Sequence, residues 1–217
     1  MQALDSLKPG LIVIDGVDGA GKGEQTRRLF QAMKNNGMTV VLTREPGGSP
    51  GAEEIRRLIV EGEPGRWDAM TELLLIYAAR RAHLRDTIWP AIERGEWVIS
   101  DRFADSSRAF QGFAGQLGLG CVDRIHEEVV GAFEPLLTII LDIDPQTSLQ
   151  RAQRRGGHED RFEKKGLAFQ QAVRDGYLTV ARGSASHVVI DASGSINDVE
   201  ARIRDALKAH LGMVFID

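Results

Sequence analysis

The stretch that decides the fold runs from residue 11 to residue 25 and reads LIVIDGVDGAGKGEQ. Residues 11–15 form a short, continuously apolar run that ends in an aspartate, which is typical of a parallel strand buried on both faces. Glycines follow at 16, 19, 21 and 23, and helical character begins at Lys22. Such a turn lets backbone N–H groups converge on a phosphate, and the helix N-terminus adds partial positive charge. The stretch predicts a phosphate-binding loop, with Lys22 reaching the outer phosphates of a nucleotide.

One chemical part of this loop is missing. The usual pattern, G-x-x-x-x-G-K, continues with a serine or threonine whose hydroxyl binds magnesium, but here Gly23 and Glu24 follow the lysine. Thr26 lies about 4.5 Å further along the helix axis and cannot easily substitute. Glu24 could hold magnesium directly or through water, or it could repel a triphosphate. The sequence leaves both alternatives open.

Short apolar runs alternate with longer helical segments along the whole chain. Further strands are predicted at 39–43, 97–101, 137–142 and 187–191, and helices at 22–36, 68–94 (stopped or kinked near Pro90), 146–155, 167–181 and 196–211. This alternation predicts an α/β fold, a doubly wound five-stranded parallel sheet with flanking helices of the P-loop NTPase type. Ligands of such sheets bind beyond the carboxyl ends of the strands. We expect a single domain over residues 1–217, with a small lid at about 151–166, where charged residues and glycines replace apolar ones.

Composition excludes several classes of function. The chain has 217 residues and a net charge of −4 at pH 7, so no overall basic field favours nucleic acid. Cys121 is the single cysteine, which rules out an internal disulfide and a cysteine zinc cluster. The start does not resemble a signal peptide, and no segment is long and apolar enough to span a membrane. We expect a cytoplasmic protein without nucleic-acid or membrane partners.

Polar residues follow the second and third predicted strands. Arg44 lies in TREPGGS at 43–49, and SDRF at 100–103 contains Asp101 and Arg102. A carboxylate at a strand end can hold magnesium or its waters, and an arginine can bind phosphate in a bidentate way. Each motif taken alone could instead be a surface turn or an ordinary strand-end ion pair.

Taken together, the motifs resemble those of thymidylate kinases over residues 11–192. The resemblance rests on TREPGG (43–48), LLLIYAAR (73–80), WVISDRF (97–103), AFQG (109–112) and DRFE (160–163). It implies a P-loop nucleoside monophosphate kinase that transfers the γ-phosphate of ATP to dTMP, giving dTDP for dTTP synthesis. It also implies Mg²⁺ as cofactor, ATP and dTMP as ligands, and a homodimer.

The resemblance assigns roles to matching positions. The ATP phosphates would be cradled by the loop residues Gly16, Val17, Asp18, Gly19, Ala20, Gly21, Lys22, Gly23 and Glu24. The thymidine site would comprise Asp18 at the sugar 3′-hydroxyl, Arg44 and Arg102 at the phosphate, Arg80 at the thymine edge, and Ile76, Ser106, Phe110 and Gln111 along the pocket. Asp101 would hold magnesium. Catalytic charge would come from Lys22, Arg44, Arg102 and a lid arginine, for which Arg151, Arg154, Arg155 and Arg161 are candidates. Arg155 is favoured because an Arg-Gly pair precedes DRFE.

Departures from the family pattern keep two other interpretations open. Ile76 stands where the family has a phenylalanine that stacks on thymine, and FAGQ at 113–116 replaces glycines that end in arginine. These changes motivate a second interpretation beside the dTMP kinase, a kinase for another pyrimidine monophosphate such as dUMP or a modified dTMP. Gly23 motivates a non-catalytic nucleotide-binding relative, although the presence of Lys22 and Arg102 argues against it.

Overall fold

Five parallel strands form one sheet in the computed structural model, which describes residues 7–155 and 161–216, without the side chain of Arg155. The strands are β1 (Leu11–Gly16), β2 (Val40–Arg44), β3 (Trp97–Asp101), β4 (Leu137–Asp142) and β5 (His187–Asp191). Their spatial order is β2-β3-β1-β4-β5. The chain winds to one side of β1 and then to the other, which leaves a crevice at the carboxyl end of β1. The predicted fold class is confirmed, and the five predicted strands are present.

Helices cover both faces of this sheet. They are α1 (Lys22–Asn35), α2 (Pro50–Val60), α3 (Ala69–His83), α4 (Trp89–Glu93), α5 (Ala104–Ser107), α6 (Leu119–Val130), α7 (Pro145–Arg155), α8 (Leu167–Ala181) and α9 (Ile196–Leu211). Helices α2, α5 and α6 were not predicted from the sequence. Among the helices described, none has the length and apolar character that a membrane crossing needs.

The long helix predicted over 68–94 is interrupted rather than continuous. It begins after Asp68, whose carboxylate accepts a hydrogen bond from the Thr71 amide at 2.6 Å. A π-helical turn, Leu84–Ile88, separates α3 from α4. Pro90 lacks an N–H and cannot complete a regular α-helical ladder with the residues before it, so the helix widens ahead of the proline.

Strand β1 lies at the centre of the core and is buried along its full length. Ile12 and Ile14 pack with Leu29 and Met33 of α1 on one face, while Leu11 and Val13 pack on the opposite face with side chains of α3 and α6. Successive side chains of a strand point to opposite faces. Burial on both faces therefore explains why this run is apolar throughout, and it holds the following loop rigidly above the sheet.

Candidate active site

A cleft of about 740 Å³ opens at the carboxyl ends of β1, β2 and β3. Every residue that the sequence assigned to the thymidine site lines it, together with the proposed magnesium ligand and most of the glycine-rich loop: Asp18, Gly19, Gly21, Lys22, Gly23, Glu24, Arg44, Ile76, Arg80, Asp101, Arg102, Ser106, Phe110 and Gln111. The sheet brings these residues together because the carboxyl ends of adjacent parallel strands meet at one edge.

The glycine-rich loop adopts backbone conformations that require glycine. Gly16, Gly19 and Gly21 have φ of +137°, +84° and +97°, and Gly21 is the N-cap of α1. A Cβ atom on Gly19 would lie 2.0 Å from the carbonyl oxygen of Ser148 in α7. The loop therefore has no room for any side chain at position 19, including a positively charged one. Positive charge for a transferring phosphate must come from elsewhere in the cleft.

Lys22 lies almost buried at the start of α1. Its Nζ donates to the Val17 carbonyl at 2.8 Å and lies 3.9 Å from Asp18 Oδ1. Burial lowers the pKa of Lys22 and the nearby Arg102 lowers it further, while the carboxylates of Asp18 and Asp101 act in the opposite direction. A phosphate that enters the loop would meet a poorly hydrated ammonium group, whose attraction for an anion is stronger than in open water.

Arg102 is fixed by a ring of hydrogen bonds at the end of β3. Its Nη1 donates to Ser106 Oγ at 3.0 Å and to the Tyr177 hydroxyl at 2.9 Å, and it lies 3.4 Å from Asp15 Oδ1. Its Nη2 donates to Asp18 Oδ1. Burial opposes the charge of Arg102, but the carboxylates of Asp18 and Asp15 outweigh it and hold its pKa above the ordinary value.

The same ring orders a backbone conformation that is unusual for a side-chain-bearing residue. Arg102 has a φ of +72°, a region that L-residues rarely adopt and that costs about 1–3 kcal/mol unless the surroundings hold it. Asp15, which is fully buried, accepts hydrogen bonds from Tyr177 at 2.6 Å and from Ser106 at 2.8 Å. Burial raises the pKa of Asp15, and Arg102 and Tyr177 counteract part of that effect. The network thus stabilises Arg102 in one orientation.

Asp101 offers an oxygen atom that suits a hard cation. Its Oδ1 is buried and has no hydrogen-bond partner among the described residues. A Cβ atom on Gly23 would lie 3.6 Å from Asp101 Oδ2, so the two positions associated with magnesium are neighbours. No group of three or more His, Cys, Asp or Glu side chains in the described part of the chain could hold a metal. This donor set fits Mg²⁺, which takes one or two carboxylates, waters and substrate phosphates rather than a protein cage.

The far end of the cleft presents Arg80, which is fixed on three sides. Its Nε donates to Glu45 Oε2 at 2.7 Å, its Nη1 to Ser107 Oγ at 3.1 Å and its Nη2 to the Phe103 carbonyl at 2.9 Å. Burial would raise the pKa of Glu45, but Arg80 and His83 outweigh it and lower that pKa. The guanidinium of Arg80 is therefore a rigid hydrogen-bond donor at the end of the cleft where the motifs predict the thymine ring.

A thymidylate kinase family model matches residues 14–203. The chain belongs to the thymidylate kinase family. It is 48% identical to thymidylate kinase of Caulobacter vibrioides, with 93% of this chain and 97% of that relative covered. It is also 48% identical to thymidylate kinase of Ruegeria pomeroyi, with 92% and 95% covered. The crystal structure of thymidylate kinase from Ehrlichia chaffeensis superimposes with a TM-score of 0.75 at 29% identity, covering 93% of this chain and 99% of that one.

The thymidylate kinase resemblance inferred from the motifs is thus confirmed, and two of the candidate residues have partners that the sequence did not predict. Glu24 bonds Arg27 through Oε2 and Arg28 through Oε1, at 2.8 Å for the latter. Hydrogen bonds from Arg28 and Arg27 lower the pKa of Glu24. Residues three and four apart share a helix face, so each oxygen of Glu24 accepts a hydrogen bond from its own helix, while Glu24 also lines the cleft together with Asp101.

Arg161, a candidate for the catalytic lid arginine, is the second of these residues. Its side chain is fully buried. Its Nη2 donates to Glu72 Oε1 at 2.6 Å, and its Nη1 to the Ile59 carbonyl at 3.1 Å. Such a buried ion pair is costly to break, so Arg161 is not a mobile catalytic group in this structure.

The other arginine candidates differ in what the structure shows of them. Arg151 lines the cleft, whereas Arg154 is exposed and is not among the lining residues. The side chain of Arg155 lies outside the described residues, as do residues 156–160 of the predicted lid. Arg44, about half exposed, pairs with Glu53 at 3.1 Å at the rim of the cleft. Exposed pairs of this kind are weak, so Arg44 can exchange its partner for a phosphate.

Sequence reasoning missed several residues that support the site. Glu45 lies inside the TREPGG motif and could have been singled out as the partner of Arg80. No sequence pattern marks Tyr177, because its hydrogen-bond partner Asp15 lies 162 residues away along the chain. Glu72 and Ser107 were likewise not assigned, although each contacts a residue that was.

Proposed function

We propose that this protein transfers the γ-phosphate of ATP to dTMP and releases dTDP and ADP. The observation that carries the proposal is the single cleft that joins the glycine-rich loop at one end to Arg80 and Gln111 at the other, with Arg102 between them. Membership of the thymidylate kinase family supports the same reaction. We place this chemistry in one domain over residues 1–217 and in the cytoplasm, where ATP is available.

The phosphate chemistry is chiefly a matter of position and charge. Lys22 and the loop amides would bind the β- and γ-phosphates of ATP. Arg102 would hold the dTMP phosphate through its Nε and Nη2 groups, since Nη1 is occupied by Ser106 and Tyr177. Arg44 and an arginine of the segment 151–166, with Arg155 first in line, would neutralise charge from the open side. Asp18, released from Arg102, would accept the sugar 3′-hydroxyl.

Magnesium would be held by Asp101, whose buried Oδ1 has no partner among the described residues, together with the phosphates and water. When bound, the ion would supply positive charge that offsets the negative charge of the phosphates. The chain's own contribution is the fixed carboxylate at the end of β3. Glu24, whose oxygens also accept hydrogen bonds from Arg27 and Arg28, would take part directly or through a water molecule.

The end of the cleft at Arg80 and Gln111 offers hydrogen-bonding groups that complement the imide edge of a thymine base. Thymine presents an N3–H donor between two carbonyl acceptors. Gln111 Oε1 is buried without a partner among the described residues, so it is an acceptor for N3–H, and Arg80 is a donor for a carbonyl. Ile76 and Phe110 supply apolar surface for the ring and its methyl group.

The direct test is ADP formation from Mg-ATP, measured with dTMP, dUMP and dCMP as acceptors. We expect many turnovers with dTMP, fewer with dUMP and very few with dCMP. Equal kcat/KM for dTMP and dUMP would refute a strict dTMP kinase and favour the broader pyrimidine kinase. Bound ATP without any turnover would favour the non-catalytic interpretation.

Gly23→Ser is expected to lower the Mg²⁺ concentration needed for half-maximal activity. The added Cβ would meet Asp101 Oδ2 at 3.6 Å, which is ordinary contact, so the serine fits and its hydroxyl can add an oxygen ligand near the carboxylate. The check is a magnesium titration of both proteins at saturating ATP and dTMP. Gly65→Ser, at an exposed turn position with nothing within 4 Å of its Cβ, is the control. Identical titration curves for Gly23→Ser and the wild type would contradict the prediction.

We further propose a homodimer that buries the exposed side of α2 and α3. Leu58, Met70 and Leu74 on these helices are 41%, 37% and 53% exposed. Met70 and Leu74 are four residues apart and therefore share one helix face. An exposed apolar helix face is a candidate contact surface for a second copy of the chain.

Leu74→Glu is expected to convert such a dimer to monomer, because each copy would place a charge in the apolar contact. Sedimentation velocity at a series of protein concentrations measures the change. Ile196→Glu, at a residue that is 52% exposed on α9, is the matched control and should leave the sedimentation coefficient unchanged. The interface would lie elsewhere if Leu74→Glu remained dimeric.

A further inference from the structure

Glu72 of α3 is a buried carboxylate that lies behind the base end of the cleft. It is 2% exposed, and it is not among the side chains that line the cleft. Its Oε1 accepts hydrogen bonds from Arg161 at 2.6 Å and from Lys165 at 3.0 Å. Its Oε2 accepts one from Gln111 Nε2 at 3.1 Å. One carboxylate thus joins two cations of the predicted lid segment, 151–166, to a side chain of the base site.

The charge of Glu72 decides which end of the Gln111 amide faces the cleft. An ionised carboxylate can only accept hydrogen bonds, whereas an amide has one donating and one accepting end. Two positively charged partners on Oε1 balance the buried negative charge of Glu72. The NH₂ group of Gln111 must therefore face Glu72, because the opposite orientation would bring two acceptors together about 3 Å apart.

This orientation leaves the carbonyl end of Gln111 as the group for a ligand. Gln111 is 1% exposed and lines the cleft, and its Oε1 has no partner among the described residues. A buried acceptor without a partner costs free energy until a donor binds it. The N3–H of thymine or uracil is such a donor, while N3 of cytosine is an acceptor and would leave two acceptors opposed.

We propose that Glu72 is a positioning residue that sets the preference for bases with an N3–H by fixing the orientation of the Gln111 amide. The inference rests on the proposed function, because it takes a pyrimidine nucleotide as the occupant of the cleft. It assigns to Glu72 no contact with the nucleotide itself. It also distinguishes thymine and uracil from cytosine without distinguishing them from each other, so the 5-methyl group must be recognised by other side chains.

Glu72→Gln is the principal test, read as the ratio of the dissociation constants for dCMP and dTMP measured by calorimetry. A neutral amide at position 72 can donate as well as accept, so it allows the Gln111 amide to turn round. We expect the ratio to fall about tenfold, the size of one mispaired buried hydrogen bond. Glu72→Asp keeps the charge beside Arg161 but shortens the reach to Gln111. This variant is the substitute test if Glu72→Gln folds poorly, and it should also lower the ratio.

Two further variants separate positioning from general damage. Lys165→Met removes one cation from Oε1 and leaves the Gln111 bond in place, so the ratio should stay at the wild-type value. Gln111→Leu should itself lower the ratio, and adding Glu72→Gln to it should then change the ratio no further, as expected when one residue acts through the other.

Three results would overturn the inference. The first is equal weakening of dTMP and dCMP binding in Glu72→Gln. The second is a change of the ratio in Lys165→Met as large as that in Glu72→Gln. The third is a further change of the ratio when Glu72→Gln is added to Gln111→Leu. Turnover of dTMP by the wild-type protein is measured beside these titrations. Its absence would refute the proposed kinase, whereas turnover with an unchanged binding ratio would refute the role of Glu72 alone.

Discussion

Lys22→Met is expected to lower kcat for dTMP phosphorylation by about two to three orders of magnitude, the usual loss when one charged group that stabilises a transition state is removed. Lys22 is nearly buried and is already desolvated beside Asp18. The folded protein therefore holds the ammonium at the loop before ATP arrives, and no reorganisation is needed when charge develops on the phosphate. Methionine fills a similar volume without the charge, so the effect reports charge rather than packing.

The measurement is steady-state dTMP-dependent ADP formation at saturating Mg-ATP, together with the dissociation constant for ATP. Lys34→Met, at an exposed lysine in the last turn of the same helix, is the matched control and should retain full activity. A Lys22→Met protein with unaltered kcat would show that the glycine-rich loop binds no transferring phosphate. The phosphate-binding interpretation of residues 16–22 would then fail.

Arg102→Lys is expected to lower kcat/KM for dTMP about a hundredfold although the positive charge is kept. A lysine cannot make the separate bonds that the guanidinium makes to Asp18, Ser106 and Tyr177. It therefore presents a point charge rather than a fork to the phosphate. The positive φ of +72° at this residue also depends on the same ring of bonds.

Kinetic constants for both substrates locate the defect. The KM for dTMP should rise and kcat should fall, while the KM for ATP should change little, because Arg102 belongs to the dTMP side of the cleft. Arg94→Lys, at an exposed arginine paired with Glu96 at 2.8 Å, is the control with the same chemical change. If Arg102→Lys matched the wild type in kcat/KM for dTMP, the dTMP phosphate would have to bind elsewhere.

The sequence was informative wherever the chemistry is local. Continuous apolar runs predict β1 and its neighbours, because a strand that is buried on both faces has apolar residues throughout rather than alternating apolar and polar ones. The loop glycines follow from backbone conformations that only glycine adopts easily. Helices α2, α5 and α6 escaped prediction, and α5 has only four residues, too few for a periodic pattern to show.

Motif resemblance found the residues that face the cleft, but it did not find their supports. Arg161 was a candidate for catalysis because it lies in the DRFE motif of the predicted lid. The structure instead buries it against Glu72. Likewise Glu24 was a candidate for magnesium, yet its nearest partners are arginines of its own helix.

The sequence by itself determined the family, the parallel sheet, the glycine-rich loop and the identity of the side chains that reach the cleft. The tertiary structure alone decided how those side chains are held, which depends on partners far away in the chain. Tyr177 meets Asp15 across 162 residues and Arg161 meets Glu72 across 89. The physical reason is that a buried polar group must find a partner wherever packing brings one, and packing depends on the whole chain rather than on any local pattern.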